Sequence, residues 1–347
     1  MTTLTTSTTG NTNPNALLRD EMWAFIVMTA LLLAVPVSGI YPFFVMQALC
    51  FALFACAFNL LIGYGGLLSF GHAMFMGTAG YFTAHFAKVG TIALPAWRIG
   101  DFTLFPGIAI NLGPLSPELS IVIGVVAAAI LGVITGLIAI RRQGIYFSMI
   151  TLALSQLLYF IYLQAPFTHG EDGIQGVPQG MLFGFINLSK PITLYYVVLA
   201  VFLIGFLIIY RAINSPFGEV LKSIRENEPR AISLGYKTDH YKLLAFILSG
   251  ALAGLAGSIK VFVAQNASLT DVHWTMSGEV VLITLVGGLG TVFGPVIGAF
   301  VIIAMQQYLA SFGQWVTVIQ GVIFVVCVLT FRRGVIGEIG HYFKRSL

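Results

Sequence analysis

The chain has 347 residues, of which 58% are hydrophobic and 9% charged, with a mean hydropathy of +0.93. Soluble domains carry about 25% charged residues, so these values exclude a globular protein living wholly in water. They point to an all-α polytopic membrane protein, because lipid admits only internally bonded helices or closed barrels and no strand-like alternation runs through the apolar stretches.

The net charge of +4 comes from basic residues at the ends of apolar runs, which is the asymmetry of loops across a membrane and not a nucleic-acid footprint. Cys50, Cys56 and Cys327 lie inside apolar runs with no CxxC or Cys/His spacing, so they read as small buried apolar residues and not as metal ligands or a disulfide.

Residues 1–20 are rich in Thr, Ser and Asn and lack a basic region before a small-residue cleavage site, so they read as a disordered cytoplasmic tail. Residues 21–347 read as one transmembrane domain. Residues 22–87 carry no Asp, Glu, Lys or Arg and hold about three spans of ~20 residues each. These are placed at 23–40, 43–61 and a Gly-rich 67–87, with Pro42 and the run Gly63 to Gly66 marking turns. The proline-bearing stretch 88–118 reads as an exported loop with short interfacial pieces. Residues 119–140 form a fourth span closed by Arg141 and Arg142, and 144–163 a fifth that opens into a second exported loop, 165–191. Residues 192–210 form the sixth, closed by Arg211.

The loop 211–242 packs Lys222, Arg225, Glu226, Glu228, Arg230, Lys237, Asp239 and Lys242 together and is too polar for lipid. Asn214 or Ser215 is placed to cap a helix with Pro216 in its first turn, Pro229 to interrupt it, and Gly235 to end a second turn at 231–234, leaving Arg225, Glu226, Asn227 and Arg230 exposed. A seventh span follows at 243–264. The positive-inside rule puts Arg19, Arg141, Arg142, Arg211, the charged loop, Arg332 and Arg333 on one face, which selects three more spans: a short one near 277–286, then 292–309 and 315–331. That makes about ten in all, with both termini cytoplasmic, unless residues 277–295 are re-entrant. A short echo relates the Gly65 stretch, GGLLSFGHAMFMG, to the Gly287 stretch, GGLGTVFGPVIG, as in duplicated transporters.

Asn59, Ser69, His72, Thr151, Ser155 and Gln156 are candidates to line a substrate pathway, since hydroxyl, amide and imidazole groups at membrane depth can solvate a zwitterion. Hydrogen bonding between helices accounts for them equally, as it does for Gln306 and Gln307, and the glycines of the third span suit close packing. Glu171 and Asp172 are adjacent, with no nucleophile or metal-ligand spacing nearby. They read as an exported acidic turn or a contact for a substrate-binding protein, not a catalytic pair.

SPFG from Ser215, KSIRENE from Lys222, AISLGY from Ala231 and KLLAFILSGALAGLAG from Lys242 together resemble the branched-chain amino acid ABC transporter permeases of the LivM type. The resemblance extends to NLLIGYGGLLSFGHAMF from Asn59, RRQGIYFSMITLA from Arg141, GEDGIQGVP from Gly170 and GGLGTVFGPVIGA from Gly287. It implies an ABC importer permease fold in the bacterial inner membrane. The implied partners are a homologous LivH-type permease, two cytoplasmic ATPases and a periplasmic or extracellular substrate-binding protein, with ATP and Mg on the ATPases and no cofactor in this chain.

The chain shows no G-x-x-x-x-G-K-[ST] phosphate loop of its own, in keeping with a transport subunit that is not an enzyme. The resemblance assigns ATPase coupling to Ser215, Pro216, Phe217, Gly218, Arg225, Glu226, Asn227, Ala231 and Gly235. Glu219, Pro229 and His169 depart from it, standing where a basic residue, an apolar residue and glycine are usual. Urea, short amides and aromatic acids are alternative substrates. An ion-coupled secondary transporter is the alternative from another class, but no buried carboxylate is assigned to the spans as an ion site. An intramembrane enzyme would need a dyad or metal cluster.

Overall fold

The computed structural model describes residues 14–309, apart from 38, 40, 95, 96, 100, 101, 106, 107, 112 and 143, together with 313, 315, 318, 319, 321, 322 and 325. The tenth span expected at 315–331, the first thirteen residues of the expected tail and Cys327 lie largely or wholly outside the described residues.

Helix α2 (Pro42–Asn59) is apolar on every side, and a helix of that kind is stable only when surrounded by other helices. It is buried along almost its whole length and runs on through a π-helical turn, Leu60–Tyr64. Around it pack α6 (Pro191–Ile213), α9 (Thr238–Ala264), α10 (Trp274–Gly287) and α11 (Gly294–Leu309). Helix α1 (Pro14–Ala34) lies against α6, where Phe25 stacks on Phe206 at 5.9 Å and Tyr195 Oη donates to Leu32 O at 2.5 Å. It begins at Pro14, so part of the segment assigned to the tail is helical.

Helix α3 (Ala73–Lys88) is enclosed by α9 and α4 (Pro117–Ala139). Ser120, Gly124, Ala128, Gly132 and Gly136 recur every fourth residue on the buried side of α4, while Leu119, Val122, Val126, Ile130, Val133 and Leu137 face outward. Small residues inside let the backbones approach, and the outer stripe is what lipid or a partner covers. Helix α5 (Ile145–Gln164) is peripheral, with Met149, Leu157 and Phe160 exposed.

Among the described residues five helical segments are long and apolar enough to cross a membrane: Pro42–Tyr64, Pro117–Ala139, Ile145–Gln164, Pro191–Ile213 and Thr238–Ala264. Met22–Ala34, Trp274–Gly287 and Gly294–Leu309 are apolar but shorter. The third expected span is not one helix. Residues 67–70 are non-helical, and the 16 residues of α3 reach only about 24 Å, less than the ~30 Å hydrocarbon core. Helix α10 starts beside the far end of α9, where Asp271 meets Lys260, and its terminal loop ends beside the 211–242 segment, where Gly290 approaches Arg225. The segment that left a re-entrant turn open thus joins the two ends of the bundle.

The expected loops hold short strands, so the fold is not purely helical. In 88–118, β1 (Thr91–Leu94) pairs antiparallel with β4 (Ile108–Asn111), and β2 (Trp97–Ile99) pairs with β3 (Phe102–Phe105). Further on, β5 (Ile174–Gln175) pairs with β8 (Asn266–Ala267), and β6 (Met181–Leu182) with β7 (Ile186–Asn187).

Candidate functional site

The charged loop folds into two helices, α7 (Pro216–Glu226) and α8 (Glu228–Ser233). Ser215 stands at the start of α7 with Pro216 beside it, but its hydroxyl turns back to Ala212 O at 2.7 Å and does not cap the helix. Gly218 is required at the elbow, because a Cβ there would overlap the Ile213 carbonyl. The buried residues Gly218, Leu221 and Ile224 recur every third position, with Glu219, Ser223 and Glu226 on the open side.

The break between the helices falls at Asn227, whose Oδ1 accepts from Arg230 N at 3.1 Å and caps α8. Pro229 sits in the first turn of α8, where a missing N–H costs nothing, so it starts a helix rather than interrupting one. Gly235, at φ +89°, ends α8 as expected, with Tyr236 N–H reaching Ala231 O at 3.2 Å. Two contacts fix the pair to α9: Phe217 stacks on Tyr241 at 6.1 Å, and Lys242 Nζ meets Glu228 Oε1 at 2.5 Å with the lysine buried. Outward face Glu226, Ile232, Leu234 and Tyr236, the last three apolar and Leu234 69% exposed.

Arg225 is exposed, as expected, but it also reaches back to the bundle. Its Nη1 donates to Gly63 O in the π-helical turn, and its stem lies on Gly66, where a Cβ would come within 2.8 Å of Cγ. Asn59, expected in the substrate pathway, forms the other half of this knot: its Nδ2 donates to Thr291 O at 2.8 Å and its Oδ1 accepts from Gly290 N at 3.0 Å. The turn that leads into the Gly65 stretch thereby meets the Gly287 stretch in space. A Cβ on Gly63 would fall on Asn59 Oδ1 and within 2.8 Å of Gly290 N.

The non-helical stretch before α3 is braced by hydroxyls, as backbone away from water must be. Thr151 Oγ1 accepts from Phe70 N at 3.2 Å and Ser69 Oγ from Gly71 N at 3.3 Å. Ser148 Oγ donates to Leu68 O at 2.6 Å, and Ser277 Oγ accepts from Ala73 N at 2.8 Å. Ser155 Oγ points to Val272 O at 3.4 Å, and Gln156 is half-buried on α5.

His72 is wholly enclosed, with Phe58 and Phe75 edge-on at 5.3 Å each. Ser249 spends its proton on Ala57 O, so the His72 Nε2–H must donate to Ser249 Oγ, 2.7 Å away. This is the inter-helix hydrogen bond weighed for it as the structural alternative. Glu171 and Asp172 lie exposed on a 3-10 turn at the opposite end of the bundle. His169 adopts φ +59°, which is why glycine suits that position.

At the same far end lies a charged group that the sequence reading left out. Lys260, within the seventh span, pairs with Asp271 and sits 5.6 Å over the Phe51 ring. Glu279, within the eighth, accepts from Gln306 Nε2 at 2.5 Å. Carboxylates therefore do lie in or beside the spans, and that ground for setting an ion-coupled transporter aside falls. Among the described residues no three His, Cys, Asp or Glu side chains are placed to hold a metal ion. Ser148, Ser249, Ser277 and Thr291 were also missed. The signal of the three serines was a hydroxyl facing backbone or a ring on a neighbouring segment, which becomes visible only once the packing is known.

Residues 40–329 match the family described as branched-chain amino acid transport system, permease component. The chain is 25% identical over 305 residues to the high-affinity branched-chain amino acid transport system permease protein LivM of Escherichia coli (strain K12), a stretch covering 80% of this chain and 65% of that relative. It is 30% identical over 180 residues to the probable branched-chain amino acid transport permease protein LivH of Methanocaldococcus jannaschii, covering 48% and 53% of the two chains. It is 27% identical over 215 residues to the autoinducer 2 import system permease protein LsrC of Salmonella typhi, covering 58% of each. No solved structure matches the chain.

Proposed function

The chain belongs to the branched-chain amino acid transport system permease family, and on that premise we propose that it is a transmembrane subunit of an ABC importer that moves branched-chain or related amino acids into the cytoplasm. The observation that carries the reading is the α7–α8 pair: amphipathic, fastened to α9 at both of its helices, and presenting Ile232, Leu234 and Tyr236 outside the apolar bundle. Exposed apolar side chains beside exposed charges suit a protein interface.

In this reading the pair seats in a cytoplasmic ATPase that holds ATP and Mg, a LivH-type permease completes the membrane unit, and a substrate-binding protein docks outside near Glu171 and Asp172. The membrane is the bacterial inner membrane, and both termini are cytoplasmic. Ser69 and Thr151 are bonded to the backbone of the 67–72 segment and Ser155 to Val272 O, so in this reading they reach substrate only when those segments move. Closure of the ATPases moves α7 and α8, and alternating access follows as a rigid shift of packed helices.

Leu234→Asp is expected to abolish co-purification of the ATPases and lower ATP-dependent uptake about tenfold or more, since an unpaired charge must be desolvated at the interface. The subunit should still insert, because Leu234 is not part of the core. Unchanged co-purification removes the docking role from α8. In proteoliposomes holding the full complex, leucine accumulation should require ATP and the binding protein. Accumulation driven by an ion gradient alone would establish the secondary-transporter alternative, and competition by urea, short amides or aromatic acids would reassign the substrate.

A further inference from the structure

We propose that Arg225 is a positioning residue acting inside the chain: it carries displacement of α7 directly to the two glycine breaks at Gly63–Gly66 and Gly288–Thr291. The inference rests on the importer reading for its transport consequence, but its geometry stands apart from it.

The chain leaves helical geometry after Tyr64. Leu67 N bonds back to Leu61 O, so the Gly63 carbonyl receives no donor from the next turn. A helix end leaves such carbonyls open, and the negative end of the helix dipole favours a cation. Arg225 meets both requirements with one side chain, its guanidinium on Gly63 O and its methylene stem on Gly66. Gly290 lies on the same guanidinium, since a Cβ there would stand 3.5 Å from Nη1.

Asn59, at the end of α2 one turn before the first break, holds the second break by bonds at 2.8 and 3.0 Å, and its Oδ1 lies where a Cβ on Gly63 would fall, so the two breaks are packed together. A second cation from α7, Lys222, lies 5.9 Å from the Tyr64 ring centroid and restrains the same turn. Behind each break begins a short helix, α3 and α11. Hinges set at non-helical glycine segments, gripped from α7 by a side chain whose rigid fork does not slide, convert motion of α7 into motion of both helices.

The test uses Arg225→Met, which keeps the stem and removes the guanidinium, in the assembled complex and in the isolated full chain. In the complex, ATPase co-purification and ATP hydrolysis should stay at wild-type levels while substrate moved per ATP falls about tenfold, a split that a merely structural defect would not produce. Loss of co-purification would make Arg225 an ATPase contact and overturn the proposal, as would unchanged transport per ATP.

In the isolated chain, spin labels at the exposed positions Glu226 and Leu289 should give a narrow distance distribution that broadens in Arg225→Met. An unchanged distribution overturns the pin. A wild-type complex that fails to import any substrate would sink the importer reading while the label distances still decide the role of Arg225.

Discussion

Gly257→Leu is expected to leave no folded protein in the membrane, and Gly257→Ala to cost about 3 kcal/mol or more, at or beyond the upper end for overpacked cores. Helices α3 and α9 cross at this glycine, where a Cβ would overlap the Met76 carbonyl and stand within 3.0 Å of its Cα. The obstacle is backbone, so no rotamer change relieves it and the helices must separate. The crossing has no slack on either side, because a Cβ on Gly254 would meet the Ala79 and Ala128 side chains and one on Gly250 would stand 3.3 Å from the Phe75 ring.

In lipid, association of helices depends on such close packing, since the tails are as apolar as the side chains and supply little hydrophobic drive. Gly278→Ala is the control: nothing lies within 4 Å of its Cβ, so yield and thermal midpoint in detergent should match wild type. Equal stability of Gly257→Ala and Gly278→Ala would show that the α3–α9 crossing is not the tight contact described.

Asp271→Asn is expected to destabilise the chain by about 3–5 kcal/mol, because it strands the Lys260 ammonium in a site where both side chains are largely buried. Replacing both, as Lys260→Met with Asp271→Leu, should recover most of the loss, since two apolar side chains of similar volume carry no desolvation cost. Thermal unfolding of wild type, Lys260→Met, Asp271→Leu and the double variant, in detergent at constant salt, measures the coupling directly. A double variant as unstable as Asp271→Asn would mean that the ion pair does more than balance its own charges, through Glu279 and Gln306 nearby. The pair joins the end of α9 to the turn before α10, so its loss should also loosen the far end of α10.

The charged loop was the most legible part of the site. Pro216, Pro229 and Gly235 are residues whose backbone preferences act over a turn or less, and the two helices and their end were readable from them. Where that reading slipped, the slip was local: Asn227, not Pro229, makes the break, because a side-chain cap and a first-turn proline together start a helix more readily than a proline ends one. Arg225 was identified as an exposed cation and it is one, but its bond to Gly63 O was not readable, since sequence shows a cation on an amphipathic helix and not which neighbour lacks a donor. Asn59, Ser69, Thr151 and Ser155 were singled out as polar groups in apolar helices, and the structure bonds each of them to backbone. Lys260 and Glu279 were passed over because one charge in twenty apolar residues hardly alters hydropathy, whereas their partners lie 11 and 27 residues away.

The sequence by itself determined that this chain is a bundle of apolar helices, where the polar segments fall between them, and which family it resembles. Those features depend on transfer of each segment from water to lipid and on turn chemistry, both of which are local. Only the tertiary structure decided that the third expected span is a braced non-helical stretch followed by a short helix, that two distant glycine breaks touch, and that Arg225 grips them. Each of these depends on which backbone groups remain unsatisfied after helices pack, and that is a property of neighbours rather than of the segment.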